Sequence, residues 1–170
     1  YLELFSGCEP LLDIGCGPGN FLALAAGHLE AYGLDTMPEN AVRCRQQGLV
    51  AGVGSIAALP FAGATLGGVL AAHVLEHLYR DELMAAAAEI ERVLRPGGRA
   101  VVVVPRPRNI WDFYADPTHV SPMTEARLVD ETGRDVPGRP IGELCLRGPH
   151  VSRGYWQAPD ATAAVFSNSV

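Results

Sequence analysis

Up to about Pro105 the chain alternates short apolar runs with longer segments of helical periodicity, and few folds accommodate that alternation. Strands covered on both faces read as continuous apolar stretches, and helices between them supply the crossovers of a parallel sheet. Five strands are expected at Pro10 to Ile14, Ala31 to Leu34, Leu49 to Val53, Leu66 to Ala72 and Ala100 to Val104, with helices at Asn20 to Gly27, Pro38 to Gln47 and Asp81 to Leu94. Pro38 suits a first helical turn, Gly48 ends that helix, and Pro96-Gly97-Gly98 stops the third, on which Leu83, Ala87, Ile90 and Leu94 are expected to share one face. The expected class is α/β, a doubly wound sheet. Beyond Pro105 the pattern changes: Pro and Gly punctuate the chain, leaving a strand-like run at Ile141 to Leu146 and a short helix-like run at Asp160 to Phe166.

The first strand runs into Asp13-Ile14-Gly15-Cys16-Gly17-Pro18-Gly19, where glycines permit a tight turn and close approach of a ligand to the backbone. Asp35 closes the second strand about 20 residues beyond Gly15, the interval at which an acid accepts hydrogen bonds from ribose hydroxyls. A dinucleotide fingerprint wants a further glycine where Asn20 stands. Asp13 would also repel a pyrophosphate while favouring a ligand that bears an ammonium and a sulfonium, as S-adenosylmethionine does. The bland alternative is a plain strand-to-helix turn in which Asp13 caps a backbone amide.

Together, Leu11 to Gly19, Gly33-Leu34-Asp35, Leu59-Pro60-Phe61, His73-Val74-Leu75-Glu76-His77 and Leu94-Arg95-Pro96-Gly97-Gly98 resemble the class I S-adenosylmethionine-dependent methyltransferases, in the branch that acts on small metabolites. The resemblance runs from about Tyr1 to Arg127 and implies a Rossmann-like sheet. It places Asp13, Gly15, Cys16, Gly17 and Gly19 around the methionine end of the cofactor, Asp35 on the ribose, Met37 against the adenine and His73 along the cleft. Ser55 stands where the family usually has an acid, so the adenine amino group is contacted more weakly, or by backbone near Ile56. Leu66 and Gly67 replace the usual aromatic and Asp at the head of the fourth strand, which is expected to loosen it.

His73-Val74-Leu75-Glu76-His77 also spells the H-x-x-E-H of a zinc peptidase family, in which two histidines one helical turn apart bind metal. That chemistry needs a continuous helix and a further acid, whereas this run follows a strand. No metal is expected; Leu75 and Leu78 pack and His73 lines the cleft.

Trp111, Phe113, Tyr114 and His119 follow the fifth strand, beside the crevice where open α/β sheets bind ligands. Asp116-Pro117-Thr118-His119-Val120-Ser121-Pro122 resembles a segment of the same methyltransferase branch, and His119 is the candidate to take a proton from a hydroxyl acceptor. Aromatics covering a sheet edge beside an exposed His explain the segment equally well. Methyl transfer can also proceed by alignment in a dry cleft with no base at all.

Near Leu128 the resemblance switches. Val129 to Pro137, Gly142 to Pro149 and Gly154-Tyr155-Trp156 look like a fragment of adenylate-forming acyl-CoA ligases and peptide-synthetase adenylation domains. The division expected is a cofactor-binding methyltransferase domain at 1–127 and a ligase-like fragment at 128–170. The ligase-like stretch lacks a phosphate-cradling loop and the chain has no Lys, so no adenylation site is expected. The sheet thus reads as truncated after its fifth strand, with a β-rich tail whose Ile141 to Leu146 is expected to pair beside the Val101 to Val104 edge. A fusion, a remnant, or a composite made by rearrangement or frameshift would each give this pattern, and a cofactor-binding but inactive protein stands as the alternative to an active enzyme.

The formal charge of -6 holds no basic block, so a small-molecule methyl acceptor is expected as partner rather than nucleic acid. No apolar run is long enough to span a bilayer and none forms an export signal. Cys8, Cys16, Cys44 and Cys145 have neither C-x-x-C nor zinc spacing, which suits reduced thiols in the cytoplasm. A start at Tyr1 rather than Met suggests a processed or cut amino terminus. Oligomeric state is not legible.

Overall fold

A computed structural model of the chain describes residues 1–105, 110–121, 125–129 and 143–147. They fall into two compact units, Tyr1–Ser121 and Pro122–Val170. The first is a five-stranded parallel sheet of β1 (Leu11–Ile14), β2 (Ala31–Asp35), β3 (Ala51–Val53), β4 (Leu66–Ala72) and β5 (Leu94–Val103), in the order β3-β2-β1-β4-β5. The crossovers carry α1 (Asn20–Ala26), α2 (Pro38–Gln46) and α3 (Arg80–Val93), and the short α4 (Ile110–Phe113) follows β5. This is the Rossmann-like α/β architecture that the alternation implies. The chain order reverses between β1 and β4, and ligands of such sheets bind outside the carboxyl ends of the strands at that reversal.

All four residues of β1 are buried, as a strand paired on both sides requires. Leu11, Leu12, Leu22, Leu66, Val69 and Leu70 lie within 2% of full burial, and Phe5 closes one end of the core from a 3-10 turn at Leu2–Phe5. Each such side chain contributes roughly 1.5–3 kcal/mol of apolar transfer free energy.

Three sequence expectations are revised. The inward stripe of α3 is Leu83, Ala86, Ile90 and Val93; Ala87 is exposed, and Leu94 already belongs to β5. The helix therefore ends at Val93, before the Pro-Gly-Gly expected to stop it.

Gly67 also does more than loosen β4. A side chain there would lie 2.5 Å from the Glu9 carbonyl, and one on Gly68 would meet Phe5 at 2.8 Å, so the glycine pair admits the backbone of residues 8–9 against the strand. The irregularity that accompanies this is a register shift between Leu66 and Gly68 in the pairing with β5.

The tail strand is the third revision. β7 (Glu143–Arg147) pairs antiparallel with β6 (Glu125–Val129), Glu125 opposite Arg147, rather than with β5. Antiparallel neighbours offer a denser local ladder than a slanted parallel addition to an edge. β6 went unread, although Glu125-Ala126-Arg127-Leu128 alternates polar and apolar residues in the manner of a strand. The helix-like run Asp160 to Phe166 and the stretch Thr132 to Pro140 lie outside the described residues.

Candidate functional site

The loop after β1 is built on left-handed glycines: Gly15, Gly17 and Gly19 have φ of 68°, 53° and 90°. L-residues pay about 1–2 kcal/mol for that conformation, which glycine escapes. The three glycines differ in their surroundings. A Cβ on Gly15 would come within 2.5 Å of Val74 Cγ2, and one on Gly19 within 2.9 Å of Cys44 Sγ. Nothing lies within 4 Å of the position it would take on Gly17. The loop is thus packed down at both ends and open in the middle, where a ligand can approach backbone.

Asp35, at the end of β2, is 7% exposed and holds that open glycine in place. Its Oδ2 accepts from the Gly17 amide at 2.8 Å and its Oδ1 from the Met37 amide at 2.8 Å. A carboxylate has about four lone-pair directions, so acceptor capacity remains for hydroxyls. Asp13, one residue before the end of β1, is 4% exposed. Burial, and secondarily the charge of Asp35, raise its pKa to about 7. Two buried acids flanking a glycine loop are poorly compensated by the protein itself, and a cationic ligand would relieve them.

Cys16 is buried beneath the loop, its Sγ 4.0 Å from Cys44 Sγ. Burial, with Cys44, Asp13 and Asp35 adding to it, pushes its thiol up to about 12, so it packs as an apolar group rather than a nucleophile. Gly33 of β2 makes room for it: a side chain there would meet Leu22 at 2.6 Å and Cys16 Sγ at 2.8 Å.

Met37 is 56% exposed just beyond Asp35. Ser55 is exposed and accepts from the Ala57 amide at 3.2 Å, while Ile56 is 4% exposed. His73 sits at the carboxyl end of β4 with φ of 57° and an exposed ring. Asp13, Gly15, Cys16, Gly17, Gly19, Asp35 and His73 therefore gather at the carboxyl ends of β1, β2 and β4, with Met37 next in chain and Ser55 and Ile56 just after β3. A depression on α2, lined by Pro38, Glu39, Asn40, Val42, Arg43 and Gln46, includes none of these residues.

Val74, beside the glycine loop, is a residue that sequence reasoning passed over. Its contact with Gly15 joins the loop after β1 to the loop after β4, and only its place inside the His73-to-His77 run marks it in the sequence. Glu76 is likewise unexpected, since a carboxylate beside His77 on a polar turn is 1% exposed.

His119 lies in a separate segment of the same unit. Its Nδ1 lies 2.9 Å from the Phe113 carbonyl, its ring lies 4.8 Å from that of Phe113 and 4.9 Å from that of His77, and its Nε2 is 3.8 Å from Asp116 Oδ2. Of the other acceptor-side aromatics Phe113 is buried, whereas Trp111 and Tyr114 are exposed.

Comparison with known proteins identifies the fold and the family. A crystal structure of an S-adenosylmethionine-dependent methyltransferase from Archaeoglobus fulgidus superposes with a TM-score of 0.66 at 28% identity, covering 72% of this chain and 57% of that one. The YcgJ protein of Bacillus subtilis shares the fold, with a TM-score of 0.56 at 24% identity over 70% of this chain and 60% of that one. Residues 99–156 match the AMP-binding enzyme family. A long-chain-fatty-acid–CoA ligase from Escherichia coli is 53% identical over 47 residues, 28% of this chain and 8% of the ligase. The chain thus spans a small piece of its ligase relatives and a little over half of the archaeal methyltransferase. Residues 12–102, more than half of the chain, match the methyltransferase domain family, and it is to that family that the chain belongs.

Proposed function

We propose that residues 1–127 bind S-adenosylmethionine and transfer its methyl group to an oxygen, nitrogen or carbon of a small-molecule acceptor, and that 128–170 are an adenylate-forming ligase-like fragment. One observation carries this reading: Asp13 and Asp35, both buried, flank a glycine loop whose only open position is Gly17. The cofactor supplies an electrophilic methyl on a sulfonium. Asp13 offers charge to its cationic end, the amides and open face of Gly15 to Gly19 admit its chain, and Asp35 accepts from the ribose while fixing Gly17. Met37 packs on the adenine, Ser55 and the backbone near Ile56 meet its edge, and His73 lines the cleft.

Alignment in a site that excludes water supplies most of the catalysis such a transfer needs. Where the acceptor is a hydroxyl, His119 is the residue proposed to take the proton. A carbonyl only accepts, so the proton of a neutral ring lies on Nδ1 facing Phe113, and Nε2 carries the lone pair. The acidic chain, without a basic block, favours a metabolite over nucleic acid, and a cytoplasmic setting suits its thiols. No helix among the described residues is long and apolar enough to cross a membrane.

The ligase-like match over 99–156 favours a second reading, a protein that holds the cofactor without turning it over. Titration with labelled S-adenosylmethionine, followed by a screen of hydroxyl, amine and carbon-acid acceptors, separates the two. Binding with transfer supports the enzyme, binding without transfer the inactive form, and absence of binding overturns both.

A further inference from the structure

The turn after β4 and the segment at 116–121 are fastened to each other. The amides of Val120 and Ser121 donate to the Glu76 carbonyl at 2.8 and 3.1 Å, and Ser121 Oγ donates to the Leu78 carbonyl at 2.6 Å. This clamp brings His119 against the turn Leu75–His77 and sets three metal-ligand types side by side. Glu76, His77 and His119 each offer an atom within 4.8 Å of the others.

Two features distinguish this group from a chance polar cluster. The first is Glu76, whose side chain is 1% exposed: its Oε1 meets His73 Nδ1 at 3.2 Å, but its Oε2 is buried with no hydrogen-bond partner among the described residues. An orphaned buried carboxylate oxygen is costly, and a bound cation would remove the cost. The second is the orientation of both imidazoles. His77 Nδ1 donates to the Thr118 carbonyl at 3.2 Å and His119 Nδ1 to the Phe113 carbonyl at 2.9 Å. A backbone carbonyl on one ring nitrogen fixes the tautomer and leaves the other as a σ donor, the way metal-binding histidines are held. The Asp116 carboxylate lies 3.8 Å from His119 Nε2 and adds negative charge beside the group.

We propose that Glu76, His77 and His119 bind one divalent transition-metal ion of the zinc type. Two imidazoles and one carboxylate are a known zinc set that leaves the fourth position open. Ligand atoms around a tetrahedral zinc stand about 3.3 Å apart, so the 4.8 Å spread must close by about 1.5 Å on binding. The H-x-x-E-H run contributes its Glu and second His, while its first His, on a residue of φ 57°, is replaced by His119. The objection that the run is not a continuous helix applies to a His73–His77 pair and not to this set. Bound metal would occupy the Nε2 lone pair otherwise open to an acceptor's proton.

The test uses the full chain, stripped with a chelator and titrated with Co²⁺. One equivalent should bind with the intense visible bands of four- or five-coordinate cobalt, Zn²⁺ should displace it, and Zn²⁺ should raise the melting temperature. His77→Ala and Glu76→Gln should each weaken binding about tenfold or more. His28→Ala, at an exposed His elsewhere, should leave it unchanged. Because His77 is exposed, its variant keeps the test valid if the buried Glu76→Gln fails to fold. A pale octahedral spectrum, or equal affinity in the parent and His77→Ala, would overturn the proposal.

Discussion

Asp35 and Gly17 are joined by a 2.8 Å hydrogen bond from the glycine amide to the carboxylate, so the end of β2 sets the conformation of the loop after β1. The acid that should hold the ribose is also the acid that shapes the glycine beside it. Asp35→Ala removes both functions. Loss of a charged hydrogen bond costs about 1.5–3 kcal/mol, so the variant should bind S-adenosylmethionine roughly ten- to a hundredfold more weakly. Calorimetric titration of parent and variant measures this, and equal affinity would remove Asp35 from the site.

Asp13 gives the ligand-free protein a pH dependence of definite sign. The folded carboxyl holds its proton up to about 7 while the unfolded one releases it near 3.8. The stability this group contributes is complete below 3.8 and lost as pH rises to about 7, a span worth roughly 4 kcal/mol. Asp13→Asn should flatten that part of the profile in urea unfolding at pH 4.5 to 7.5. The parent's affinity for the cationic cofactor should run the other way, rising up to about tenfold per unit toward pH 7. If Asp13→Asn and the parent share one slope, the carboxyl is not the cause.

Gly15→Ala should destabilise twice over, through a φ of 68° and through the 2.5 Å approach to Val74. The combined cost is about 2–4 kcal/mol. Adding Val74→Ala should recover the steric share and leave about 1–2 kcal/mol of backbone cost. A double variant no more stable than Gly15→Ala would show that Val74 is not the obstacle.

The ligase-like tail should not activate acids. With no Lys in the chain and no phosphate-cradling loop in the tail, no ATP–pyrophosphate exchange is expected with any carboxylic acid. Exchange abolished by substitution of Glu143 or Arg147 would contradict this.

The parallel sheet and the glycine turn after β1 were legible because each rests on local pattern: an apolar run, a glycine spacing, an acid at a fixed interval. What escaped depends on residues that meet only through the fold. Glu76 looks like a surface acid, yet its side chain is buried on a turn whose backbone carbonyl accepts from the amides of Val120 and Ser121. The inner face of α3 carries Ala86 and Val93 rather than Ala87 and Leu94, and β5 begins at Leu94, two residues before the Pro96 expected to stop the helix. β7 found β6 rather than β5, a choice between partners that strand propensity does not encode.

The central place of β1 also sets an order of events during synthesis. Leu11 faces Ala31 across one ladder and Gly68 across the other, so the first partner emerges from the ribosome soon after β1 and the second much later. Until β4 arrives, one flank of β1 is unpaired and Val74 is absent from above Gly15, which leaves the nascent glycine loop without its final shape. The ability to grip a ligand is therefore acquired late, when a long loop has been closed against its entropy rather than when the loop's own residues are made. Until then a hydrophobic strand stands half-covered, and a chaperone that shields it would act in the interval between the two pairings.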